Sequence, residues 1–123
     1  MPADGPFTSP FGYRRDPLDG TTRFHSGLDI GASYGSTVVA AAYGTVEVVG
    51  NDSSYGNYVK INHGNGYQTV YAHNSQILVT VGQVVDKGQP IALVGATGRV
   101  TGPHCHFEII ENGVFVDPKP FIT

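Results

Sequence analysis

The sequence predicts a small all-β barrel or sandwich built from antiparallel strands, and three observations carry that expectation. From Ser36 onward the apolar residues fall in short runs rich in Val, Ile and Tyr, bounded by Gly, Asn and Pro, as strands closed by turns are. No stretch sustains the period of an amphipathic helix. Two turn signals, Gly64-Asn65-Gly66 and Asn112-Gly113, then set antiparallel pairing, because Asn-Gly accepts the positive φ of a tight hairpin.

In order along the chain, the predicted strands are Thr45 to Val49, Tyr58 to Asn62, Gln68 to Ala72, Pro90 to Val94, His106 to Ile110 and Val114 to Val116. The first turn joins Tyr58–His63 to Tyr67–His73, and the second joins the last two strands. Gly12 to Gly20 is dominated by Gly, Pro, Asp and Arg, so a long ordered loop is expected there and not a strand pair; loops of that length are often functional. Arg14 and Arg15 within it are read as solvating the loop, with a substrate carboxylate as their other use.

A chain of 123 residues that is 40% hydrophobic has the length of one domain and enough apolar material for one core. A single domain over residues 1–123 is expected, with 1–7 disordered or foreign to it. Met1 stands directly before domain-like sequence, which suggests an excised fragment whose targeting part lies elsewhere. Net charge is -3 and the seven Lys and Arg are dispersed, so neither a nucleic-acid footprint nor a basic membrane-surface patch is expected. No apolar run approaches the roughly 18 residues of a membrane span. Cys105 is the only cysteine and has no partner for an internal disulfide.

Of the five histidines, His104 and His106 form the strongest signal. Two apart on a strand, they project to one side with Cα atoms roughly 6.5 Å apart, while Cys105 faces the other way. One imidazole suits a metal ion and the other an adjacent water. His25 and Asp29 are four apart, but Gly27, Ile30 and Gly31 disfavour a helix, which places the pair where a loop turns into a strand. Two His and one carboxylate leave one position open on a tetrahedral zinc ion, the arrangement of a catalytic site. Parity puts Tyr71 and His73 on one face, where His73 would partner His104. His63, beside a turn, is expected to be solvated.

These residues carry a resemblance. Phe11-Gly12-Tyr13-Arg14-Arg15, Phe24 to Ile30, Tyr55 to Val59, Tyr71-Ala72-His73 and Thr97-Gly98 to Glu108 resemble the successive landmarks of the lysostaphin/LytM-type peptidoglycan metallopeptidases, from about Thr8 to Phe121. The resemblance implies a narrow antiparallel groove flanked by loops, with a barrel-sandwich character. It implies one zinc ion on His25, Asp29 and His106, with His73 and His104 as the unligated catalytic pair. It further implies hydrolysis of peptidoglycan cross-links or stem peptides by a metal-activated water, outside the cytoplasm; a monomer is expected. Position 105 is Cys where the family commonly has an aliphatic residue, and position 96 is Ala where Ser is frequent.

The alternative is a catalytically silent LytM-type module that binds or regulates wall hydrolases; all five site positions carrying the expected residue types argues against it. A lipoyl-type carrier, suggested by Val84 to Ala92, lacks a lysine at either hairpin tip. A cupin reading of His104, His106 and Glu111 fails on parity, since Glu111 lies five residues beyond His106.

Overall fold

The computed structural model describes residues 1–15 and 20–122. Its strands are β1 (Phe7–Ser9), β2 (Gly12–Arg15), β3 (Thr22–His25), β4 (Leu28–Gly31), β5 (Thr37–Val39), β6 (Gly44–Asp52), β7 (Gly56–Gly64), β8 (Tyr67–Ile77), β9 (Val84–Val85), β10 (Pro90–Val94), β11 (His104–Glu111) and β12 (Val114–Val116). Among the described residues the only helix is α1 (Lys119–Ile122), and none there is long and apolar enough to cross a membrane. Each run predicted from the sequence lies within a strand.

One sheet has the spine β1-β4-β11-β8-β7-β6-β9, with β12 added on β11 and β10 bridging β5 and β8. Its most local part is the β6-β7-β8 meander. Glu111 pairs with Val114 across Asn112-Gly113, whose φ angles of 51° and 82° give the two-residue turn with both central residues left-handed. Asn65-Gly66 repeats this at the β7-β8 turn with 53° and 84°. β11 comes late in the chain yet pairs with β4 on one side and β8 on the other.

Alternation divides the strands into a core face and a second face. Val46, Val59, Ile61, Tyr71, Val85, Ile91, Val94, Cys105 and Phe107 are buried in one cluster, with Phe107 and Tyr71 rings 5.4 Å apart. Fully burying one such side chain contributes about 1.5–3 kcal/mol relative to exposure. Tyr71 keeps its hydroxyl satisfied by accepting from the Ala41 N–H at 3.0 Å and bonding Thr69 Oγ1 at 2.7 Å.

Two expectations are corrected. Within Gly12–Gly20 the backbone does form a strand, β2, which pairs with β3; Tyr13 stands opposite Phe24, and Phe24 also meets Phe11 edge-on at 5.2 Å. Cross-strand aromatic contacts of this kind compensate for the polar, Pro- and Gly-rich composition that suggested a loop. Residues 16–19 and the side chains of Arg14 and Arg15 lie outside the described residues. The first seven residues are also docked and not loose: Ala3 is buried, the Pro2 carbonyl accepts from Val39 N–H at 2.8 Å, and the Pro6 carbonyl accepts from Gly31 N–H at 2.8 Å.

Candidate metal and active site

The site is assembled on the second face of β11. His104, His106 and Glu108 share that face by alternation, while Cys105 and Phe107 enter the core. Antiparallel pairing with β4 sets Asp29 directly opposite His106. His25 ends β3, and the short Ser26-Gly27 turn brings it back over β11. A side chain at position 27 would overlap the Phe107 carbonyl and come within 3.0 Å of His106 Cε1, so glycine is what permits this approach.

Three donor atoms converge as a result. His25 Nε2 lies 3.2 Å from Asp29 Oδ1 and 3.2 Å from His106 Nδ1, and His106 Nδ1 lies 2.8 Å from Asp29 Oδ1. A tetrahedral divalent ion with bonds of about 2.1 Å needs donors about 3.4 Å apart, so this trio fits such an ion with little adjustment. The ring nitrogens are oriented for it. His25 Nδ1–H donates to the Pro10 carbonyl at 2.7 Å, which can only accept, and His106 Nε2–H donates to Glu108 Oε2 at 2.8 Å. In the neutral form of each ring this leaves the inward nitrogen with the lone pair that a metal ion would need.

Electrostatics express the same crowding. Burial pushes the Asp29 carboxyl upward, but hydrogen bonds from His106 and His25 override it and hold the group well below the usual carboxylate range. Burial alone would lower His106, yet its hydrogen bonds to Asp29 and Glu108 raise it to about 9. Glu108 is pushed up by burial and drawn below its ordinary value by His106, Ser26 and Tyr55. Two buried carboxylates around one imidazole call for positive charge.

His73 and His104 complete the site. Their ring centroids are 4.9 Å apart, His73 lies 5.7 Å from His106, and His104 Nε2 lies 3.6 Å from Asp29 Oδ1. Both rings are pinned through Nδ1, His73 to the Thr97 carbonyl at 2.8 Å and His104 to the Gly102 carbonyl at 2.9 Å, which leaves each Nε2 available. Burial, then the neighbouring His106 and His104, lower the His73 imidazole to about 4, so it is a neutral base at neutral pH.

The parity argument for His73 needs correction. Tyr71 faces the core, opposite Phe107, and strict alternation would send His73 there too. His73 instead has φ 67°, and the pairing of β8 shifts register around it, so a bulge turns the imidazole onto the site face. A clasp holds this left-handed residue: His73 N–H donates to the Tyr55 carbonyl at 2.8 Å, and Thr97 Oγ1 joins Asn57 N–H to the Asn74 carbonyl. His63 lies apart, bonded to the Tyr43 carbonyl and Thr69 Oγ1. Cys105 is fully buried, its thiol pushed up to about 12 by burial.

Sequence reasoning gave no role to Glu108, Tyr55, Ser26 and Thr97, although all four fall within the landmark segments. The parity of His104 and His106, continued by two residues, reaches Glu108; the contacts of Tyr55 and Thr97 depend on pairings that spacing does not show.

Residues 23–118 match the model described as Peptidase family M23. The chain is 50% identical over 113 residues to a metalloprotease of Haemophilus influenzae, covering 90% of this chain and 24% of that one. It is 42% identical to the peptidoglycan DD-endopeptidase ShyC of Vibrio cholerae, over 91% of this chain and 26% of the relative. It is also 40% identical to the murein hydrolase activator EnvC of Escherichia coli, over 98% and 28%. The chain thus spans about a quarter of the length of these curated relatives. A zinc-containing peptidase from Vibrio cholerae superposes with TM-score 0.87 at 42% identity, over 94% of this chain and 37% of that structure. The catalytic domain of lysostaphin from Staphylococcus simulans does so with TM-score 0.86 at 29% identity, over 95% and 91%.

Proposed function

Because the chain belongs to peptidase family M23, we propose that it is a zinc-dependent endopeptidase that hydrolyses the peptide cross-links or stem peptides of bacterial peptidoglycan, and so works in the cell envelope. The observation that carries this is the convergence of His25 Nε2, Asp29 Oδ1 and His106 Nδ1 within 3.2 Å of one another, among groups whose remaining contacts orient them as ligands. These three would hold one zinc ion. When bound, zinc supplies Lewis acidity, making water more acidic and a peptide carbonyl more electrophilic.

His73 and His104 are the catalytic pair in this reading. Each has Nε2 free and Nδ1–H fixed on a carbonyl, so each can take the proton that water releases and pass it to the leaving amine. His73 is suited to the accepting role because its buried ring is neutral at the pH where water attacks. The charged form of either ring would then favour the negative oxygen of the tetrahedral species.

Stripping the protein with a chelator and restoring zinc, with purified peptidoglycan as substrate, tests the proposal. Activity should vanish and return. His25→Ala, Asp29→Ala or His106→Ala should abolish both zinc binding and hydrolysis, whereas His104→Ala should keep zinc and lose turnover. Hydrolysis that survives zinc removal overturns the proposal. The identity to EnvC favours a second reading, activation of other wall hydrolases without cutting. A zinc-loaded chain that stimulates such a hydrolase but releases no fragments itself would select it.

A further inference from the structure

We propose that Glu108 is a positioning residue for His106, selecting the imidazole nitrogen offered to the metal and supplying the second of two negative charges matched to a divalent ion. This deepens the metal-site reading above and rests on it.

Glu108 is fully buried in a strand whose neighbours are Phe107, Ile109 and Ile110. A carboxylate is almost never so enclosed unless it is partnered, and here every contact is with a group able to donate. Tyr55 Oη lies 2.6 Å from Oε1 and 2.8 Å from Oε2, Ser26 Oγ lies 2.5 Å from Oε2, and His106 Nε2 lies 2.8 Å from Oε2. Tying Nε2 down leaves Nδ1 as the only nitrogen of His106 that can face Asp29 and His25. With the ring held the other way round, a carbon would stand where the ligand atom must be.

The charges point the same way. Asp29 and Glu108 sit at opposite nitrogens of one imidazole, so the ring lies between two carboxylates. A divalent ion balances them, and a monovalent one leaves an excess negative charge in a buried site. Ser26 belongs to the turn between His25 and Asp29, so its hydroxyl also ties that turn to β11. Tyr55 contributes twice: its hydroxyl holds Glu108 and its carbonyl holds the His73 N–H. Tyr55→Phe therefore severs the link to Glu108 and leaves the link to His73 intact.

The test compares the parent chain, Glu108→Gln and Tyr55→Phe by competition titration of the metal-free proteins with zinc against a chromogenic chelator, alongside kcat, KM and unfolding midpoints. Glu108→Gln should weaken zinc binding about 10–100-fold and Tyr55→Phe by less, as loss of outer contacts to a ligand does. At saturating zinc, kcat should fall with KM unchanged. Variants that unfold earlier but bind zinc as the parent does would reduce Glu108 to packing and overturn the proposal, as would an unchanged kcat. Should Glu108→Gln fail to fold, Tyr55→Phe gives the same decision. A parent chain that does not bind zinc sinks the metal-site reading and this proposal together, whereas a parent that binds beside unaffected variants sinks this proposal alone.

Discussion

Gly27→Ala is a one-methyl perturbation whose effect follows from the geometry of the turn. Gly27 is not left-handed, so alanine meets no left-handed penalty there and the contacts of its Cβ decide the effect. The new Cβ would overlap the Phe107 carbonyl and lie 2.9 Å from Glu108 Cγ and 3.0 Å from His106 Cε1. Carbon atoms settle at about 3.5–4.0 Å, so the turn and β11 must part by at least about 0.6 Å, and by close to 1 Å once the carbonyl is included. The turn joins His25 at the end of β3 to β4, which carries Asp29, and β11 carries His106. Parting them stretches the 3.2 Å gap between His25 Nε2 and His106 Nδ1 towards about 4 Å, well past the roughly 3.4 Å that tetrahedral coordination with bonds of about 2.1 Å requires. A misplacement of this size costs on the order of 10²-fold in turnover, and overpacking costs about 1–3 kcal/mol in stability. Zinc competition titration and hydrolysis of peptidoglycan fragments measure the two losses separately. An alanine variant with parental zinc affinity and parental rate would refute the claim that close approach of this turn to β11 sets the donor spacing.

Three further outcomes are expected. His73 takes its proton near 6.5 when unfolded and at about 4 when folded, so stability falls as pH drops from 6.5 to 4 and this effect is absent above 6.5. The full window is worth roughly 3 kcal/mol at most; urea midpoints at neutral pH and at the acid end should diverge less for His73→Asn, which tolerates φ 67° without titrating, and equal losses would count against it. Gly56→Ala should lower kcat, because φ 63° disfavours alanine by about 1–2 kcal/mol and its Cβ would press on Thr97, whose carbonyl pins His73; an unchanged rate would show that the clasp does not hold the ring. Tyr71→Phe should cost about 1 kcal/mol, since the half-buried Ala41 N–H loses its acceptor, and should leave zinc affinity alone; a changed affinity would contradict the separation of core face from site face.

Much of this was legible because strand periodicity and turn chemistry are local. His104 and His106 on one face and Cys105 on the other followed from alternation alone, and both Asn-Gly turns adopt the left-handed angles their residue types invite. The β2-β3 hairpin was not legible, because its pairing depends on contacts of Phe24 with Phe11 and Tyr13 across a segment whose composition reads as loop. His73 misled for a different reason. A bulge inserts one residue into the alternation, and nothing in Tyr71-Ala72-His73-Asn74 announces it; the left-handed angle is held by Tyr55 and Thr97, distant in sequence. Glu108 was within reach of the alternation argument, but its partners Ser26 and Tyr55 come from other strands' ends.

The position of β11 between β4 and β8 has a consequence for how the protein is made. β11, the strand that carries His106, follows both of its partners in the chain, yet it must slot between them. A chain not yet extended to His106 holds only two of the three proposed ligands. Competence therefore arrives in a single late event, and long-range pairing of this kind is intrinsically slow.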